Sequence, residues 1–231
     1  MKLENVVPWG RSFTEYKKIF QLSYEELQSK KILGCGDGPS SFNAKGSKLG
    51  FDITSIDPIY QFSKDEIKKR VEQTSTIIIE EIINNRDDFV WDYISSPDEL
   101  IDIRLRAMND FLNDYESGKR EKRYIYQLLP KLNFLDNSFD LVLSSHFLFL
   151  YSEQFDLKFH IDSIIKMCKI AKDELRVFPL LDLKNKRSKH LDPILEILDT
   201  KNYDVKIIKT DYEFQKGANE MLSIKVDNKS N

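Results

Sequence analysis

Apolar positions along this chain follow two rhythms. Short apolar runs at 31–35 and 51–56 have the length of strands, and between them Pro39 or Ser40 starts a helix. Ahead of them Phe13, Tyr16, Ile19 and Phe20 recur at helical spacing, so residues 1–28 read as a helical lead. From 63 to 122 the helical rhythm takes over. Ile67, Val71, Ile77, Ile78, Ile82 and Ile83 recur at three- and four-residue steps, and so do Leu100, Ile103, Leu105, Met108, Phe111 and Leu112. Ser63 and Pro97-Asp98 are start signals, and the stretch 86–97 separates the two patterns. Strands are expected at 124–128, 139–144 and 175–180, and helices at 154–171 and 189–200. A closing strand pair is expected at 205–209 and 221–226. Alternating strands and helices argue for a single α/β domain over 1–231 with a doubly wound sheet. One crossover helix suffices between the second and third strands. Most of 63–122 is therefore expected to be an inserted helical cap beside the strand ends.

The first strand runs into Gly34-Cys35-Gly36-Asp37-Gly38-Pro39, and the second ends in Asp57-Pro58. Glycines let backbone approach a ligand closely, and a carboxylate at the second strand end accepts hydrogen bonds from ribose hydroxyls. A dinucleotide fingerprint needs a third glycine at position 39 or 41, where Pro39 and Ser41 stand. The phosphate-loop pattern is absent too.

G-x-G-x-G on a strand end, followed by Asp57, resembles the first two cofactor motifs of class I S-adenosylmethionine-dependent methyltransferases. Residues 136–143 resemble that family's fourth strand with its preceding turn, and 174–181 its fifth. The resemblance implies a Rossmann-like, mostly parallel seven-stranded sheet whose last strand is antiparallel. It also implies S-adenosylmethionine as cofactor, with Gly34, Gly36, Gly38, Asp57, Pro58 and Ser144 among its contacts. One position departs from the pattern. Where the family carries an acidic residue that helps hold the methionine amino group, Ile32 stands here.

Composition narrows the function. The chain has 231 residues, 41% hydrophobic and 12% aromatic, enough for one sizeable core. Its net charge of −3 does not argue for a strongly basic nucleic-acid surface, and leaves room only for a local basic patch. Lys64, Lys68, Lys69 and Lys119 read as solvated helix faces. Cys35 and Cys168 form neither a disulfide framework nor a zinc site, and no metal cluster is expected. No apolar run approaches the roughly 18 residues of a membrane span. A cytoplasmic setting without membrane contact is the expectation.

Methyl transfer is an in-line displacement in which the protein holds the nucleophile and, when needed, removes its proton. His146 follows the fourth strand, where such a group belongs, and is the candidate base or substrate contact. The alternative is a histidine satisfied by backbone. Phe147 and Tyr151 follow it toward the substrate. In many relatives an N-terminal segment folds over the cofactor. Arg11 is then the partner for the methionine carboxylate, and Trp9 or Tyr16 covers the sulfonium. Gln127 and Leu128 fall where relatives read the adenine edge. Asp37 reads as a turn residue, and His160 and His190 as structural. The segment 212–220 either lines the substrate pocket or is a solvated turn. The fourth-strand sequence S-S-H-F lacks the motifs of base-amino and cytosine-C5 methylation. The expected substrate is therefore a small molecule or peptide. The alternatives are a tRNA- or rRNA-modifying enzyme, or a non-catalytic module that only binds S-adenosylmethionine.

Overall fold

The computed structural model describes residues 7–226; the start of the expected lead, residues 1–6, lies outside them. Helices α1 (Phe13–Ile19) and α2 (Tyr24–Ser29) each begin in a capping box, Ser12 with Glu15 and Ser23 with Glu26. Then follow β1 (Ile32–Cys35), α3 (Ser41–Lys48), β2 (Ile53–Ile56), α4 (Lys64–Asn84), α5 (Pro97–Arg120) and β3 (Tyr124–Ile125). The chain continues through β4 (Phe139–Ser145), α6 (Leu157–Ile170), β5 (Ala171–Phe178), α7 (Leu191–Thr200), β6 (Asp204–Lys209) and β7 (Glu220–Lys225).

The strands form one seven-stranded sheet in the order β3-β2-β1-β4-β5-β7-β6. Pairs from β3 through β5 are parallel, and β7 runs antiparallel to both β5 and β6. This is the Rossmann-like sheet that the class I methyltransferase resemblance implies. Side chains alternate across it. Leu33, Cys35, Val142, Leu175, Val177 and Leu222 face one core with α6 and α7. Ile32, Ile53, Leu141, Leu143 and Met221 face the other, with α1 and α3.

Several boundaries differ from expectation. The third strand shrinks to two residues, because the chain turns back and Leu128 bridges to Lys131. The fifth begins at Ala171, directly where α6 ends. Helix α5 packs on α3 and leads into β3, so it is the crossover itself. Only α4 and the segment 85–96 are additional. Ile67 and Val71 of α4 pack with Ile59 and Tyr60 just beyond β2. Ile78 and Ile82 join the same core as Phe178, the last residue of β5, together with Phe89 and Phe214. The added helix therefore reaches from one strand end to the other.

Candidate functional site

The carboxyl ends of β1, β2 and β4 open into a cavity of about 480 Å³. Open α/β sheets bind ligands at this place, where the strand order reverses. The floor is the glycine turn. Gly36 and Gly38 hold φ of 73° and 55°, the left-handed region that side chains resist. A Cβ on Gly36 would press to 3.0 Å from the Phe147 ring, whereas the nearest atom to one on Gly38 is an Asp57 oxygen at 4.0 Å. Asp57 caps the turn after β2. Its Oδ2 accepts from the Gly38 N–H at 2.9 Å and its Oδ1 from the Ile59 N–H at 2.8 Å. Burial pushes its carboxyl up to about 6, and those two N–H groups restrain the rise.

Asp37 stands in the glycine turn with its side chain inward. It is buried and lines the cavity. Tyr16 donates to its Oδ1 at 2.8 Å, and Ser55 donates to its Oδ2 at 2.5 Å. Burial pushes it up to about 7, against the pull of Ser55 and Tyr16.

The opposite wall comes from the lead and from the end of β4. Trp9, Arg11, Tyr16, His146 and Phe147 line it. Arg11 donates to the Trp9 carbonyl at 2.9 Å. Its Nε is buried with no partner among the described residues. Burial first, then neighbouring Arg104, lowers its pKa to about 10. Behind this wall, buried Glu15 accepts from Arg104 and from the Tyr212 hydroxyl, the latter at 2.9 Å. Burial alone would raise Glu15, but Arg104 holds it down to about 2.

His146 has φ of 53°, a conformation a non-glycine residue adopts at a cost of about 1–3 kcal/mol. Its N–H donates to the Phe178 carbonyl at 2.6 Å, which ties β4 to β5 at their ends. Its Nδ1 lies 2.9 Å from the Ser145 hydroxyl. Burial, then Arg11 and Arg104, push it well below the ordinary histidine value, so the ring is neutral at pH 7.

Three expected site residues stand elsewhere. Gly34 does not reach the cavity; the Asp37 carboxyl fills the space above it, 1.9 Å from where a Cβ would be. Ser144 points into the sheet interior, its hydroxyl buried without a partner among the described residues; the alternation of the strand presents Ser145 instead. Tyr151 packs with Leu150 and Leu183, and its hydroxyl accepts from the Val7 N–H at 3.2 Å. Gln127, Leu128 and Pro58 do line the cavity. Missed by the sequence reading were Arg70, which reaches the cavity from α4, and the rings of Phe155 and Phe159. Arg70 was hidden among solvated lysines, although it stands one residue before buried Val71. Phe214 and Tyr212 of the 212–220 segment are buried, and neither lines the cavity.

The residues fit S-adenosylmethionine. Two glycines with bare backbone, an oriented carboxylate at the second strand end and a buried guanidinium with a spare donor match its ribose and carboxylate ends.

No family model matches the chain. Among solved structures it is similar to the magnesium protoporphyrin IX methyltransferase of Synechocystis PCC 6803 with bound SAH. That match has 12% identity and a TM-score of 0.49, and covers 92% of this chain and 81% of that one. It is also similar to a TehB-like SAM-dependent methyltransferase from Corynebacterium glutamicum, at 15% identity and a TM-score of 0.47, covering 91% of this chain and 85% of that one. Among curated proteins, uncharacterized protein MJ0045 of Methanocaldococcus jannaschii is 38% identical over 226 residues, which span 97% of this chain and 98% of that one. With that identity sustained along nearly the whole of both, the chain belongs to the same family as MJ0045.

Proposed function

We propose that this protein is an S-adenosylmethionine-dependent methyltransferase acting on a small molecule or peptide. The observation that carries the reading is the pairing of Asp57 with the glycine turn. The Gly38 and Ile59 N–H groups fix the carboxylate at the edge of the cavity, where its remaining lone pairs accept from ribose hydroxyls. Arg11 holds the ligand's carboxylate, and Gln127 and Leu128 flank the base. When bound, the cofactor supplies a methyl group on a sulfonium, the electrophile of the reaction.

The chain's own residues then do three things. The wall at 7–9 and 11 excludes water from one side. Trp9 and Tyr16 present ring surface, which favours a cation. His146, held neutral, accepts the proton that the methylated nucleophile gives up. The net charge of −3 and the modest volume of the cavity, about 480 Å³, support a small acceptor over a folded RNA.

Isothermal titration with S-adenosylhomocysteine tests the cofactor reading, with NAD as the competing ligand. Micromolar binding of the former and none of the latter is expected. Binding of NAD alone would replace the reading with an oxidoreductase. Incubation with methyl-labelled cofactor and a cell extract, split before and after removal of RNA and protein, tests the substrate class. Label is expected in the small-molecule or peptide fraction.

A further inference from the structure

We propose that His160 is a proton-operated clasp on the loop between β4 and α6. With both ring nitrogens protonated it holds the loop in the position seen here, and loss of one proton releases it. This is so whatever reaction the cavity carries out.

The loop, residues 146–156, joins His146 to the start of α6 and brings Phe147 and Phe155 to the cavity wall. Phe147 packs against Phe155 and against Phe159 of α6, with ring centroids 5.6 and 6.3 Å apart. Two buried histidines grip the loop by its main chain. His190, at the N-cap of α7, sets its Nε2 3.0 Å from the Ser152 carbonyl and 3.1 Å from the Phe155 carbonyl. His160, on α6, sets its Nδ1 2.8 Å from the Asp156 carbonyl and its Nε2 2.9 Å from the Leu148 carbonyl.

The two grips differ in the protons they need. A carbonyl oxygen only accepts, and a neutral imidazole has one N–H. His190 meets both of its carbonyls with one nitrogen, so its neutral Nε2–H form suffices. His160 meets its two with different nitrogens. The neutral ring can serve one of them and must turn a lone pair toward the other, where two acceptors repel. Only the imidazolium donates to both. Turning the ring over would put Cδ2 and Cε1 in place of the nitrogens and serve neither carbonyl.

The contact to Leu148 is the one that gives way. Asp156 caps α6, and its carbonyl also accepts from the His160 backbone N–H at 3.3 Å, so the helix fixes it. The other tie of the Leu148 carbonyl is to the Tyr151 N–H at 3.2 Å, within the loop, and moves with it. A neutral His160 therefore keeps Nδ1–H on Asp156, and its Nε2 lone pair drives the Leu148 carbonyl away. Phe147 is the next residue and shifts with it.

The titratable groups facing His160 are His190, whose ring centroid lies 4.5 Å away, and the Asp156 carboxylate of its own helix. Phe149 and Phe159 bring only rings. Burial, the largest influence, and His190 oppose the charge, while the two carbonyls and Asp156 favour it; the balance lies below the ordinary 6.5. The clasp therefore closes as pH falls below 6.5 and opens as pH rises.

The chain has three histidines, so their ring nitrogens can be followed individually by long-range proton–nitrogen NMR on the 15N-labelled protein. The titration runs from about pH 7.5 to about pH 5, around the histidine range. At the upper end His160 is expected as the neutral Nδ1–H form. On acidification both of its nitrogens should become protonated, and the backbone amides of residues 147–152 should shift with the same midpoint. His190 should remain in its Nε2–H form. In His160→Gln, which keeps a donor but cannot titrate, that step in the loop amides should vanish. The wild-type midpoints need no variant, so a misfolded variant leaves the test intact. A His160 that stays neutral to the end of the range, or a fold lost before it charges, would overturn the proposal. So would protonation of His160 without movement of residues 147–152, or a loop transition that survives His160→Gln. None of these readouts requires ligand, so they are independent of the methyltransferase reading.

Discussion

The two sides of the cavity are built in opposite ways. The glycine turn, Asp37 and Asp57 come from one short stretch from the end of β1 to just past β2, where backbone N–H groups hold Asp57 and the Tyr16 and Ser55 hydroxyls hold Asp37. The facing wall is assembled from afar. Arg104 reaches Glu15 across 89 residues of sequence, and Tyr212 reaches it across 197. One side is a local motif that presents acceptors. The other is a buried ion pair that presents donors and a neutral imidazole. Damage to the first should therefore appear as lost affinity, and damage to the second as lost chemistry or lost fold.

The sharpest way to break this contrast is His146→Ala. Turnover on a confirmed substrate should fall by roughly 10²–10⁴-fold, as for a general base, while affinity for S-adenosylhomocysteine stays near wild type. Because burial and the two arginines depress His146, its own protonation should place no acidic limb near 6.5 in the pH–rate profile. Near-wild-type turnover would leave Tyr16 as the next candidate.

Glu15→Gln should act on the fold. It leaves the fully buried Arg104 without its counter-charge, which costs about 3–5 kcal/mol. Urea denaturation reads this as a lowered midpoint. The sign of the pH dependence follows from the depressed carboxyl. The stabilisation from Glu15 is complete above its ordinary value of 4.5 and is lost as pH falls toward 2. A variant as stable as wild type at pH 7 would mean that Arg104 finds another partner.

Asp57→Ala should act on affinity alone. Loss of a charged hydrogen-bond acceptor costs on the order of 1.5–3 kcal/mol of cofactor binding, read by titration, with the unfolding midpoint little changed. A variant that loses stability but not affinity would reverse the assignment of roles between the two sides.

The smallest effect is expected from Tyr151→Phe. It removes an acceptor from the Val7 N–H, worth about 1 kcal/mol at most, while Tyr151 itself does not line the cavity. Melting temperature should drop slightly and kinetics should not move. A large change in KM would restore Tyr151 to the substrate side.

The contrast also explains what was legible in the sequence. The glycine turn and Asp57 could be read because their chemistry is local and their spacing is visible. The doubly wound α/β class followed from the alternation of elements, and the seven strands with an antiparallel last one from the family resemblance. Asp37 was legible as a turn residue but its burial was not, because an aspartate in a glycine loop looks the same whether solvated or buried; its partners Tyr16 and Ser55 lie in other elements. Ser144 was chosen over Ser145 because a one-residue difference in where a strand ends flips the side chain across the sheet. Arg104 escaped notice although a signal existed. It stands four residues after Leu100 and four before Met108, on the apolar stripe of α5. A charge on that stripe demands a buried counter-charge, and the sequence does not say which carboxylate supplies it.

The long reach of the Glu15 contacts has a consequence for the order of events at the ribosome. Glu15 is made before either partner: Arg104 follows 89 residues later and Tyr212 197 residues later. Helix α1 can pack on α3 early, but Glu15 stays without a counter-charge until Arg104 has emerged and without the Tyr212 hydroxyl until the loop before β7 has followed. The glycine turn and β2 can meanwhile pair with β1 as soon as they leave the tunnel. The nascent chain thus carries the glycine-turn side of the ligand site well before the contacts behind the facing wall can be completed.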